Sequence, residues 1–320
     1  MNQDQTPSKQ PESAFKKQDG KPSPMFNIRN VVGQVSNHYQ IAIAGKNCDS
    51  CLPTGIRQLD QMLGGLMPGL HMLAGRPATG KTTLMLSIAG HLAVERKVPF
   101  LIFTGNSSAY QLVRRMTFAR AGLSPFLPHH NAIAPSPPEL LRLKHSASEH
   151  AESPLYIEDS FDFSIESLRS IATRYQRDAS IRFIAIDNLD ALRSNAMAMN
   201  PSREREIAEI AIQLRNMSRE LDIPVLLLAD LSRKPEHRGG KRPGLPRMTD
   251  IRYSDMITGY ADTIALLFRA QFYAETSEEH EALLGQAELI VCRSLIGVTG
   301  VVELCFDQTL ARFEEIESGN

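Results

Sequence analysis

Eight consecutive residues, Gly75-Arg76-Pro77-Ala78-Thr79-Gly80-Lys81-Thr82, have the composition and spacing of a loop that grips a polyphosphate. The two glycines let successive backbone N–H groups curl around an anion. The Lys81 ammonium can then reach the outer phosphates, and the Thr82 hydroxyl can ligate magnesium. With Thr83 beside them, these residues are the expected contacts for ATP and Mg2+. Their setting supports the reading. Residues 70–74 form a short apolar run, and Leu84, Ile88, Ala89 and Leu92 fall on one helical face, so the loop should lie where a helix N-terminus favours anions.

A second segment, Phe183-Ile184-Ala185-Ile186-Asp187, is an apolar run that ends in a carboxylate. It should set Asp187 at the tip of a buried strand, where it can hold the water shell of magnesium. A strand ending in Asp is common, and the upstream phosphate loop is what gives this one meaning. A third segment is basic: Arg233, Lys234, Arg238, Lys241, Arg242 and Arg247 crowd a Gly- and Pro-rich stretch opposed only by Glu236. Such a loop suits phosphate contacts made without reading sequence. Alone, the same charges read equally as a solvated run. No aromatic residue is interleaved, so base stacking is not indicated.

These segments need a scaffold, and from about residue 53 short apolar runs alternate with amphipathic helical stretches. That is the pattern of an α/β fold, a mostly parallel sheet flanked by helices. Strands are expected over 70–74, 98–104, 155–158, 182–187, 225–229, 263–268, 289–292 and 301–306. The clearest helix carries Ile207, Ile210, Ala211, Leu214, Met217 and Leu221 on one face. Residues 1–25 are polar and nearly devoid of large apolar side chains, a composition that predicts disorder. Over 26–45, apolar residues from Phe26 to Ala42 recur at helical spacing and predict one amphipathic helix ahead of the main domain, residues 46–320.

The chain has 320 residues and a formal net charge of −1, so nucleic-acid binding would come from a local patch rather than a global field. No apolar run approaches the length of a membrane span, and no signal-like segment opens the chain. A cytoplasmic location is expected. The 4 cysteines are too few for a disulfide framework. Cys48 and Cys51 form a CxxC without a second Cys or His pair at zinc spacing, and read as two thiols in a loop.

Several short motifs extend the pattern: Thr54-Gly55-Ile56 with Leu59-Asp60 and Gly64-Gly65, Leu231-Ser232-Arg233, Asp250-Ile251-Arg252, and Ala261-Asp262 leading into Phe268-Arg269. With Ala74-Gly75-Arg76-Pro77 they resemble the C-terminal motor domain of DnaB-type replicative helicases, within the RecA-like ATPases. The opening motif is shared with the RadA and KaiC branches, whereas the others favour DnaB. The resemblance implies an ATP-dependent motor on single-stranded DNA, assembled as a hexameric ring through the helix over 26–45, in contact with a replicative helicase or its loader. It assigns Lys81 and Thr82 to phosphate and magnesium, Asp187 to magnesium, and Arg115 to the nucleotide base. It assigns Arg252 to the DNA backbone and Arg293 to the neighbouring subunit's γ-phosphate.

Four positions depart from the family pattern. Asn106 stands where the resemblance places a catalytic Glu, and Asp230 where it places a γ-phosphate-sensing Gln. Leu295 replaces the arginine finger, and Asp255 replaces a Gly whose backbone meets DNA phosphate. Nucleotide binding should survive these changes. Hydrolysis should be slow, and a hydrolysis-impaired ATP-binding partner of a replicative helicase is the alternative reading.

Overall fold

A computed structural model describes residues 51–126, 136–160, 162–195 and 202–316. The tail, the helix expected over 26–45 and Cys48 lie outside the described residues. Among those described, nine strands form one sheet: β1 (Gly69–Gly75), β2 (Phe100–Thr104), β3 (Leu155–Glu158), β4 (Phe183–Asp187), β5 (Pro224–Asp230), β6 (Thr263–Phe268), β7 (Gln286–Arg293), β8 (Gly300–Asp307) and β9 (Arg312–Glu315). Their spatial order is β3-β2-β4-β5-β1-β6-β7-β8-β9. The first six are parallel and the last three extend the sheet antiparallel.

The central strands are mostly apolar because both faces are covered. Alternation divides each of them between two cores. Leu73, Phe100, Ile102, Phe183 and Leu228 enter one layer, shared with α1 (Arg57–Leu63), α2 (Lys81–Ala89) and α3 (Ala109–Arg120). Met72, Leu101, Phe103, Ile184 and Leu227 enter the other. Beyond α4 (Pro137–Ala151), the helices α5 (Ile165–Ala179) and α6 (Arg203–Leu221) cover that second layer. Phe100 and Phe183 stack with ring centroids 4.5 Å apart, which sets β2 firmly beside β4 and aligns their tips. Toward β8 one face opens to solvent, and burial there alternates residue by residue.

The helix after the phosphate loop differs from expectation. Rather than presenting one apolar face, α2 buries all its residues except Thr82 and Ser87, because β1, α3 and β9 pack around it. Its last turn widens into a π-helix at Gly90–Glu95. At the root of β1, Asp262 of the Ala261-Asp262 motif accepts from Leu70 N at 3.0 Å and from Arg215 Nη2 of α6 at 3.0 Å. That motif residue is thus a strand anchor. Asp60 plays the corresponding part at the domain's start, accepting from Thr54 N and Thr54 Oγ1, each at 2.7 Å.

His71, buried in β1, lies with Nε2 2.7 Å from the Met67 carbonyl while Nδ1 has no partner. Burial holds its imidazole below its ordinary pKa, against the pull of Asp262. A depressed histidine pKa means that the unfolded chain takes up the proton first. Stability is therefore complete above about pH 6.5 and declines as pH falls, by at most about 1.4 kcal/mol per pH unit. Urea unfolding at pH 7 and pH 5.5 should show this loss, and His71→Gln should flatten it. His150, which burial depresses, adds to the slope in the same direction, and the raised carboxyls of Asp60, Asp187 and Asp190 act against both.

Candidate nucleotide site and basic rim

Parallel strands put their C-terminal ends on one edge, the usual place for a ligand in such sheets. Here the register sets Gly75 beside Asp230 and Thr104 beside Asp187. The phosphate loop leaves β1 at this edge and enters α2 at Lys81. Gly80, at φ 104°, is in the left-handed region that a side chain rarely adopts. A Cβ there would also strike the Phe313 ring at 2.9 Å, and one on Gly75 would meet Thr79 Oγ1 at 2.7 Å. Both glycines are needed for shape. Thr79 Oγ1 donates to Arg76 O at 2.7 Å and fixes the turn.

The Thr82 hydroxyl donates to Asp187 Oδ2 at 2.6 Å, so the two expected magnesium residues already face each other across α2 and β4. Asp187 is 3 % exposed. Burial raises its carboxyl above the usual range, although the Thr82 and Asn106 hydrogen bonds and the Lys81 charge oppose this. Lys81 Nζ lies 2.8 Å from Asp230 Oδ1 and donates to Gly75 O at 3.0 Å and Arg76 O at 3.1 Å. Oxygen donors, a flanking ammonium and a glycine cradle at a helix N-terminus fit a magnesium–triphosphate. Arg115 reaches under the loop helix, donating from Nη2 to Thr83 Oγ1 at 2.5 Å, and burial lowers its pKa. It lines a cavity of about 590 Å³ with Thr83, His91 and Phe313. Phe313 escapes sequence reasoning because β9 is four residues long with one apolar side chain among charges.

The sequence model of the DnaB-like helicase C terminal domain matches residues 51–315. The chain belongs to that family. The replicative helicase DnaB of Geobacillus stearothermophilus is 29 % identical over 292 residues, which is 91 % of this chain and 62 % of that protein. The DnaB of Haemophilus influenzae is 32 % identical over 274 residues, 82 % of this chain and 55 % of its own. This chain thus spans about three-fifths or less of the curated relatives it matches. A solved DnaB-like replicative helicase, described with its interactions with primase, superposes with a TM-score of 0.78 at 24 % identity, covering 95 % of this chain and 69 % of that one. At this identity the likeness establishes the fold.

Against the family pattern, the four departures take definite places. Asn106 is exposed after β2 and donates from Nδ2 to Asp187 Oδ1 at 3.4 Å. Asp230, expected to set its negative charge near another anion, pairs with Lys81. Leu295 is 49 % exposed in the turn after β7, beside exposed Ile296 and Val298. Asp255 is exposed on α7 (Ser254–Ile257). Arg293 is also exposed, donating from Nη1 to Thr258 O at 2.6 Å.

The basic segment divides into two groups. Arg238 turns inward, donating to both carboxylate oxygens of Asp250 at 2.8 and 2.9 Å and to Leu245 O at 2.5 Å. Burial would raise the Asp250 carboxyl, but Arg238 outweighs it and holds it below the usual range. Arg242 pairs with Glu288 and lies over the Phe268 ring. Arg76 of the phosphate loop pairs with Glu236, tying the two loops together. Arg233, Lys234 and Lys241 remain exposed, and Arg233 and Lys241 have no ion pair among the described residues. Arg252 sits at the same rim, zipped to β5 by its N–H on Asp230 O at 3.0 Å, with Nη1 3.4 Å from Asp190 Oδ2.

This division predicts two mutant classes. Arg238→Ala strands Asp250, which is 1 % exposed, and should cost about 3–5 kcal/mol of stability. Lys241→Ala should leave stability within about 0.5 kcal/mol. If it touches DNA phosphate, it should also reduce the salt slope of single-strand binding by about one unit. Urea titration and binding at several salt concentrations separate the two.

Proposed function

We propose that this chain binds ATP with Mg2+ and works as a DnaB-type motor on single-stranded DNA, in a ring of copies, serving replication or a related process. The observation that carries this reading is the Thr82 hydroxyl against Asp187 at 2.6 Å, beside the Lys81 ammonium at the N-terminus of α2. Bound magnesium would neutralise charge on the outer phosphates. The chain's own residues do the rest. The loop N–H groups from Gly75 to Thr83 cradle the phosphates, and Lys81 exchanges its carbonyl partners for phosphate oxygens. Thr82, through its hydroxyl, and Asp187, through its carboxylate, would hold the metal. Arg115 lies under the loop toward the base, while Arg233, Lys234, Lys241 and Arg252 face the nucleic acid.

A ring built through the segment over 26–45 should appear in mass photometry with ATP as assemblies of about six subunits. Monomers alone would overturn it. No described helix is long and apolar enough to cross a membrane.

A second reading has specific support. Asn106 has no basic oxygen to take a proton from water, Leu295 brings no charge to a neighbour, and Lys81 is already neutralised by Asp230. These favour an ATP-binding paralogue that hydrolyses poorly and acts as a partner of a replicative helicase. DNA-stimulated turnover, measured beside a Lys81→Ala control, decides between the readings. A rate at the control's level with nucleotide still bound selects the second.

A further inference from the structure

The Lys81 ammonium has three protons and three protein acceptors, Gly75 O at 3.0 Å, Arg76 O at 3.1 Å and Asp230 Oδ1 at 2.8 Å. The lysine is satisfied before any ligand arrives. Giving up the two carbonyls costs ordinary hydrogen bonds. The carboxylate differs, because its charge stays at the strand tip after Lys81 turns to a phosphate.

From this we propose that Asp230 is a resident anion that competes with the terminal phosphate for Lys81 and thereby sets the balance between nucleoside di- and triphosphate binding. The inference rests on the nucleotide reading above. Asp230 is held in place: its strand is in register with Gly75, and its carbonyl accepts the Arg252 N–H at 3.0 Å. The side chain of Asp230 is 18 % exposed and that of Lys81 9 %, so water screens their charges weakly. The neighbourhood is already acidic. Asp187 and Asp190 both sense Asp230, and burial and then Asp230 act to keep the Asp190 carboxyl above its usual range despite Arg252. A triphosphate brings one more negative charge to this spot than a diphosphate does. Removing a unit charge at about 6 Å is worth about tenfold in relative affinity even at an effective dielectric of about 40, so tenfold is the lower bound for a site this weakly screened.

The test is calorimetric titration of the full chain with MgADP and with a magnesium complex of a non-hydrolysable ATP analogue. Asp230→Asn should shift the ratio of the two dissociation constants toward the triphosphate by at least about tenfold. Asp230→Glu, which keeps the charge, should stay near wild type. A purely structural effect would weaken both ligands together and leave the ratio unmoved. If Asp230→Asn does not fold by circular dichroism, Asp230→Ser takes its place in the same titration. Uptake of both nucleotides with an unchanged ratio overturns this inference alone. A wild-type chain that takes up neither overturns the nucleotide reading as well.

Discussion

Lys81→Ala should weaken MgATP binding by about 10²–10³-fold and, at the same time, destabilise the fold. The first effect follows from removing a charged partner of a desolvated phosphate, which costs a few kcal/mol at about 1.4 per tenfold. The second is particular to this chain. Without the ammonium, the Asp230 carboxylate is left at the strand tip with no cation at 2.8 Å and with Asp187 and Asp190 nearby. Removing one member of such a pair leaves an uncompensated charge, and about 2–3 kcal/mol is expected for a site this shielded. The double variant Lys81→Ala/Asp230→Asn should therefore recover most of the stability without recovering nucleotide. Urea unfolding and calorimetry on both variants check the claim. Full stability in Lys81→Ala would mean that the Lys81–Asp230 pair contributes little, whereas retained nucleotide would mean that the phosphate loop is not the site.

Why the strand tips that carry Gly75 and Asp187 were legible and their neighbours were not comes down to how locally each is encoded. The loop from Gly75 to Thr82 and the strand ending in Asp187 carry their meaning in contiguous residues, and parallel pairing did the rest by setting their tips side by side. The strands expected over 155–158 and 263–268 match β3 and β6 residue for residue, because short apolar runs between polar stretches have little freedom to be anything else. The strand β9 was invisible, since Arg312–Glu315 owes its form to pairing with β8 rather than to its own composition. Phe313 consequently went unnoticed beside Gly80. Charge pairing was the other blind spot. Nothing in the order of residues says that Arg238 belongs to Asp250, Arg76 to Glu236, or Lys81 to Asp230. A run of basic residues fixes how much positive charge is present, and only the fold decides how much of it is left for a partner.

Asn106→Glu combined with Leu295→Arg is expected to raise DNA-stimulated ATP turnover by at least about 10²-fold. The lower bound comes from a general base alone, which contributes about 10²–10⁴. An arginine finger contributes about 10³–10⁵ where it reaches the neighbour's phosphate. The two are not summed, because groups that act on one transition state are strongly non-additive. Both positions are exposed, and the new Glu at 106 would add a carboxylate beside Asp187 that bound magnesium has to balance. Asn106 is exposed, and its long contact to Asp187 at 3.4 Å is a weak one to lose. Leu295 is 49 % exposed in the turn after β7, so a longer side chain can extend into solvent. The single variants apportion the effect: Asn106→Glu acts within one subunit, so its gain should appear in any oligomeric state. The Leu295→Arg gain requires assembled copies and should vanish on dilution below assembly. A double variant no faster than the parent chain, with nucleotide still bound, would show that these two positions are not what limits hydrolysis. The limit would then move to Asp230, whose hold on Lys81 has to be broken before the terminal phosphate is gripped at all.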